Sequence, residues 1–98
     1  MKRFDICWSS DAERDLTNIL QWYAEEAGPE VAHTVVRRII DEVGRLDVFP
    51  ERTRPGRVPG TREHPIHRLP YLAVICIDAE TVHVLTVVHT RRRYPPES

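Results

Sequence analysis

Two amphipathic stripes that meet at one Gly-Pro step constrain this chain more than any other feature. Ala12, Leu16, Ile19, Leu20 and Tyr23 recur at spacings of three and four, which puts them on one side of a helix. Val31, Ala32, Val35, Val36, Ile39, Ile40, Val43 and Leu46 repeat the pattern as a wider stripe. Between them Gly28 stops one helix and Pro29 starts the next, the usual asymmetry of helix ends. The spacing predicts helices over about 11–27 and 29–49. A link this short turns the second helix back antiparallel to the first.

Strand signals flank the hairpin. Phe4, Ile6 and Trp8 alternate with Asp5 and Cys7. Ser10 and Glu13 have the spacing of a capping box, and Asp11, Glu13 and Asp15 put negative charge at the positive end of the helix dipole. Pro50 closes the hairpin. Pro55, Gly56, Pro59 and Gly60 make Glu51–Gly60 a loop without regular structure. Thr61–Leu69 reads as a strand. Tyr71–Ile77 and Thr81–His89 are apolar runs on either side of a short turn, hence an antiparallel pair. The expectation is one α+β domain over 1–98. An N-terminal strand and an antiparallel helical hairpin (about 11–49) pack on a three- to four-stranded, mostly antiparallel sheet (about 61–89). The first strand lies beside the C-terminal ones, and a basic tail covers 90–98.

Ninety-eight residues with 41% hydrophobic content can build one core. No apolar run approaches the roughly 18 residues of a membrane span, and no apolar segment follows Met1-Lys2-Arg3, so the chain reads as cytoplasmic. Cys7 and Cys76 lie far apart in apolar runs and read as two reduced, buried thiols. No Cys/His spacing resembles a zinc site, and no cofactor is expected. The net charge of −1 conceals an asymmetry. Residues 1–50 hold six Lys/Arg against ten Asp/Glu, and residues 51–98 hold eight against five. Between Arg52 and Arg68, five arginines surround a single acid, Glu63. Such a face suits an anionic partner.

The polar inventory is sufficient for metal-free cleavage of RNA. His64, His67 and His89 could move protons, and Arg57, Arg62, Arg68, Arg91, Arg92 and Arg93 could hold a phosphate. Tyr94 could stack on a base. His33 stands alone on the second helix, facing solvent or a partner. No Ser/His/Asp arrangement, P-loop or dinucleotide fingerprint is present.

In order and spacing, the chain resembles the RelE/ParE superfamily of toxins from type II toxin–antitoxin systems. The residues that carry the likeness are Asp15-Leu16 with Ile19 and Tyr23, Gly28, the segment from Pro50 to Pro55-Gly56-Arg57, Gly60-Thr61-Arg62-Glu63, Pro70-Tyr71, and His89 through Pro95. The resemblance implies a toxin that arrests growth unless an antitoxin masks it. It also implies a hetero-oligomer with that antitoxin, whose disordered C-terminal segment wraps the toxin at Leu20, Tyr23, Arg54 and Arg62. Members of the ParE side poison DNA gyrase, and the Asp-Leu-x-x-Ile helix and mid-hairpin Gly are more similar to that side. Members of the RelE side cleave messenger RNA on the ribosome, and their usual arginine is replaced here by Pro70-Tyr71-Leu72. Some ribonucleases of the superfamily use histidines instead, at positions similar to His67 and His89. Gyrase poisoning is therefore the leading expectation, with recognition by the tail and the basic loop. Ribosome-dependent RNA cleavage by His67 and His89 is the alternative. A non-toxic module that only binds antitoxin is the third.

Overall fold

In the computed structural model, which describes residues 3–91 and 94–95, α1 spans Ser10–Ala27 and α2 spans Pro29–Gly44. Gly28 takes φ 94°, a backbone region that favours glycine, so the chain reverses within one residue. The cap lies one residue earlier than the capping-box spacing places it. Ser9 is extended and its Oγ accepts from the Ala12 N–H at 3.0 Å. The same hydroxyl donates to the Leu85 carbonyl at 2.8 Å, a sheet contact that sequence neighbours do not reveal.

The second helix stops at Gly44 instead of continuing to Phe49. Short 3-10 turns at Arg45–Asp47 and Pro50–Arg52 follow it. Phe49 adopts left-handed dihedrals (φ 55°, ψ 50°), which redirects the chain, and Leu46 stays buried in the first of these turns.

Five strands form one sheet, not three to four. β1 is Asp5–Trp8, β2 Arg54–Pro55, β3 Arg62–Pro65, β4 Tyr71–Asp78 and β5 Thr81–His89, in the order β1-β5-β4-β3-β2. β1 runs parallel to β5, and the helical hairpin provides the long crossover that parallel pairing requires. The other pairs are antiparallel. β2 lies in the segment expected to lack regular structure. Pro55 is tolerated there because an edge strand leaves half its amides unpaired. β3 is shorter than Thr61–Leu69 because the chain turns after Pro65, and Arg68 adopts φ 65°.

The helices cover one face of the sheet. Tyr71, Ala73 and Ile75 of β4 and Val82, Val84 and Val87 of β5 meet Ile19, Val35, Ile39 and Val43, with Ile6 and Trp8 at the margin. Leu72, Val74 and Val88 point to the other face, under Leu85 and Tyr94. Covering both faces of β4 is why its sequence is unbroken apolar. In the β4–β5 register, Ile75 opposes Val84 but Val74 opposes Thr86, so Leu85 is an extra, bulged residue. Side-chain alternation changes phase there: Val84 faces the helices, and beyond the bulge Val87 does. Asp15 of α1 anchors this irregularity. Its Oδ2 accepts from the Thr86 hydroxyl at 2.5 Å and the Val87 N–H at 2.9 Å.

Both cysteines are free. Cys76 is half-buried, but Cys7 is exposed, contrary to expectation. It lies on the edge strand and alternates with Ile6 and Trp8, which pack on the core.

Candidate interaction site

Glu63 organises the face that the helices leave open. β3 sets it opposite Val74, where its side chain is only 3% exposed. The Arg57 N–H donates to this carboxylate at 2.9 Å. The guanidinium groups of Arg54 and Arg57 stand 3.5 and 3.8 Å away. Arg57 Nη1 also donates to the Tyr94 carbonyl at 3.4 Å, so one residue joins the loop, the buried acid and the tail. The Tyr94 side chain packs on Leu72, Val74 and Val88. Burial raises the pKa of its hydroxyl, the nearby Glu63 charge adds to this, and Arg57 opposes it.

Arg62 braces the loop. Its Nε donates to Thr53 Oγ1 at 2.9 Å, and Nη2 donates to the carbonyls of Glu51 (3.0 Å) and Thr53. The loop closes tightly through Gly56, whose N–H donates to the Thr61 carbonyl at 2.8 Å. A Cβ at Gly56 would collide with Thr61 Oγ1 and lie 3.0 Å from its carbonyl atoms. The arginines between Arg52 and Arg68 are thus not all available to a partner. Arg54, Arg57 and Arg62 hold their own loop, and Arg52 lies over the Phe49 ring at 4.4 Å. Arg68 and Arg91 are exposed. Arg92 and Arg93 lie outside the described residues.

His64 and His67 meet at one carboxylate, and His89 lies in a different setting. His67 is exposed on the β3–β4 turn, and its N–H donates to Glu42 Oε2 of α2 at 2.7 Å. His64 Nε2 lies 3.6 Å from the other oxygen of Glu42. His89 ends β5 opposite Tyr71, and its Nδ1 accepts from the Arg91 N–H at 3.1 Å. Among the described residues, no hydrogen bond or ion pair joins His67 to His89. His33 is exposed on α2.

On α1, Leu20 and Tyr23 are half-buried beside exposed Trp22. An aromatic series runs inward from them. Ring centroids are 4.9 Å apart for Trp22–Tyr23, 6.4 Å for Tyr23–Tyr71 and 5.5 Å for Tyr71–His89, all edge-on. Burial pushes the Tyr71 hydroxyl up to about 12, helped by its hydrogen bond to Tyr23 and the charge there. The folded chain therefore holds this proton to higher pH than the unfolded chain, whose phenol titrates at the ordinary 10.0. Stability should be intact below pH 10 and fall as pH rises toward 12. Urea midpoints of the parent and Tyr71→Phe, compared at pH 9 and 11.5, test this. The parent should lose more than the variant, and equal losses would refute it.

Sequence reasoning overlooked Asp15 and Glu42 as tertiary anchors. Only the break in alternation at Val84-Leu85 hinted at the bulge, and nothing near Glu42 announces a partner 25 positions away. Glu63 was visible as the lone acid among arginines. Among the described residues, no group of three or more His, Cys, Asp or Glu is arranged to hold a metal ion.

Known proteins resemble nearly the whole chain. The family described as "ParE toxin of type II toxin-antitoxin system, parDE" matches residues 6–94. A protein of Sinorhizobium fredii (strain NBRC 101917 / NGR234) named "Putative toxin Y4kP" is 37% identical over 95 residues, covering 97% of each chain. Among solved structures, a chain of the chromosomal ParDE toxin–antitoxin system from P. aeruginosa superposes with a TM-score of 0.85. It is 26% identical, over 91% of this chain and 98% of that one. A chain of the RelBE2 toxin–antitoxin complex from Mycobacterium tuberculosis superposes with a TM-score of 0.58, also at 26% identity, over 91% and 93%.

Proposed function

The chain belongs to the ParE toxin family of type II toxin–antitoxin systems, and from that premise we propose that it arrests bacterial growth by poisoning DNA gyrase when no antitoxin masks it. The observation that carries this reading is the closer likeness to the ParDE structure than to the RelBE2 structure. Recognition of gyrase falls to the exposed Arg68 and Arg91, the Arg57–Tyr94 junction and the adjoining Arg92 and Arg93. Arg62 contributes by shaping the loop, since its guanidinium is already bonded.

The relatives of known structure come from toxin–antitoxin systems, which supports an antitoxin partner here, in a cytoplasmic hetero-oligomer. Leu20 and Tyr23, half-buried beside Trp22, offer an apolar contact to a segment that folds on binding. Arg54 offers that segment a half-exposed guanidinium.

A supercoiling assay with purified protein and gyrase, with and without ATP, tests the target. Dose-dependent loss of supercoiling or trapped cleaved DNA is expected, and His67→Ala/His89→Ala should retain it. Untouched gyrase, with ribosome-bound messenger RNA cut in a manner that the double substitution abolishes, would replace this reading with the ribonuclease one.

A further inference from the structure

Three arginines without a hydrogen bond or ion pair to any described residue stand together away from the loop that the sequence singles out. Arg3 pairs with Asp47, Arg14 with Asp11, and Arg54 and Arg57 with Glu63. Arg62 bonds the loop carbonyls. Arg37, Arg38 and Arg45 make no hydrogen bond or ion pair with any described residue, although Asp41 stands four positions from two of them. These three arginines, with Asp41, Glu42 and His67, line a groove of about 630 Å³ between the outer side of α2 and the β3–β4 turn.

The groove has a fixed wall. The Glu42 carboxylate is held by the His67 N–H and lies beside His64, so it stitches the turn to the helix. Asp41 is the free acid of the lining. The resulting order along the helix is positive at Arg37 and Arg38, negative at Asp41 and Glu42, and positive again at Arg45. Seven residues separate Arg38 from Arg45, roughly 10 Å along a helix axis.

We infer that this groove seats an acidic peptide segment of a partner protein, with two carboxylates about 10 Å apart and a hydrogen-bond donor between them. Seven residues of helix give a peptide this spacing, and arginine forks bind carboxylates in bidentate pairs. A nucleic-acid strand fits less well. It carries a phosphate every 3.4 Å or so of duplex axis, which would force negative charge against Asp41 and Glu42. The peptide can leave that stretch uncharged. The inference concerns a surface separate from the loop and tail, and it holds whichever cellular target the toxin has.

The test uses the full chain and a labelled, alanine-based 16-residue helical peptide carrying two glutamates seven positions apart with a glutamine on the same face between them, read by fluorescence anisotropy at low salt. A 16-nucleotide oligothymidylate serves as the competing anion. The peptide should bind, and Arg37→Gln/Arg38→Gln/Arg45→Gln should weaken it at least about tenfold, because exposed pairs add small increments that salt screens. Arg14→Gln, on the other helix, should change affinity less than twofold. Asp41→Asn should tighten binding about twofold by removing the opposing charge, and these exposed positions leave the core untouched. No peptide binding, equal binding by the triple variant, weaker binding by Asp41→Asn, or displacement by the oligonucleotide at lower concentration would each overturn the inference. Toxicity is not part of the readout, so failure here leaves the toxin assignment standing.

Discussion

Asp15→Ala should cost about 2–4 kcal/mol, because two hydrogen bonds to one carboxylate vanish at a place where the strand cannot repair them. The Thr86 hydroxyl and the Val87 N–H both donate to Asp15 Oδ2. They directly follow Leu85, the bulged residue, where the β4 ladder is interrupted. Ser9, the cap of the same helix, holds the bulge as well through the Leu85 carbonyl. Losing Asp15 therefore frees one side of a joint that fixes α1 on β5. For a domain of this length each kcal/mol lowers Tm by roughly 4–8 °C, so a fall of about 10 °C or more is expected. Asp15→Asn keeps an acceptor and should lose less than half as much. Thr86→Val removes one bond and should cost about 1 kcal/mol. Urea unfolding of the three variants measures this, and an Asp15→Ala protein within 0.5 kcal/mol of the parent would disprove the anchoring role.

Glu63→Ala is the second large effect, about 2–3 kcal/mol. The carboxylate is buried, but its two arginine partners are 54% and 46% exposed and can turn to water. The cost is thus smaller than for a pair buried on both sides. What cannot be repaired is the Arg57 N–H, which has the Glu63 oxygen as its acceptor. The loop from Arg54 to Arg62 should loosen, and the Tyr94 junction with it. Hydrogen exchange reports this directly. The Arg57 amide should be protected in the parent and exchange much faster in Glu63→Ala, with Glu63→Gln between them. Unchanged protection would show that the loop is held by Arg62 alone.

The elements most legible in the chain were those written as local pattern. The two helix stripes, the Gly28-Pro29 reversal and the β4–β5 hairpin follow from periodicity and from backbone preferences of single residues. Details set by contacts between segments were misplaced. Ser9 caps α1 while donating to the Leu85 carbonyl, and the two-residue β2 exists by pairing with β3. The same holds for the site. Histidines and arginines could be listed from the sequence, but a count of arginines does not say which are already bonded. Arg54, Arg57 and Arg62 looked like a basic face and serve largely as loop braces. Arg37, Arg38 and Arg45 lie outside the run from Arg52 to Arg68, and their guanidinium groups make no hydrogen bond or ion pair with any described residue.

By itself the sequence determined the hairpin, the strands that cover it and the resemblance to ParE toxins, because hydrophobic periodicity, helix stop signals and motif order are properties of neighbouring residues. The tertiary structure alone decided how charge is spent. Glu63 draws in Arg54 and Arg57, Glu42 ties down the turn at His67, and Asp15 secures the bulge at Leu85. The physical reason is that burial makes an unpaired polar group costly. A carboxylate that the fold covers, fully at Glu63 and partly at Asp15 and Glu42, therefore takes its donors from whatever the fold brings near, and the charges available to a partner are those that remain.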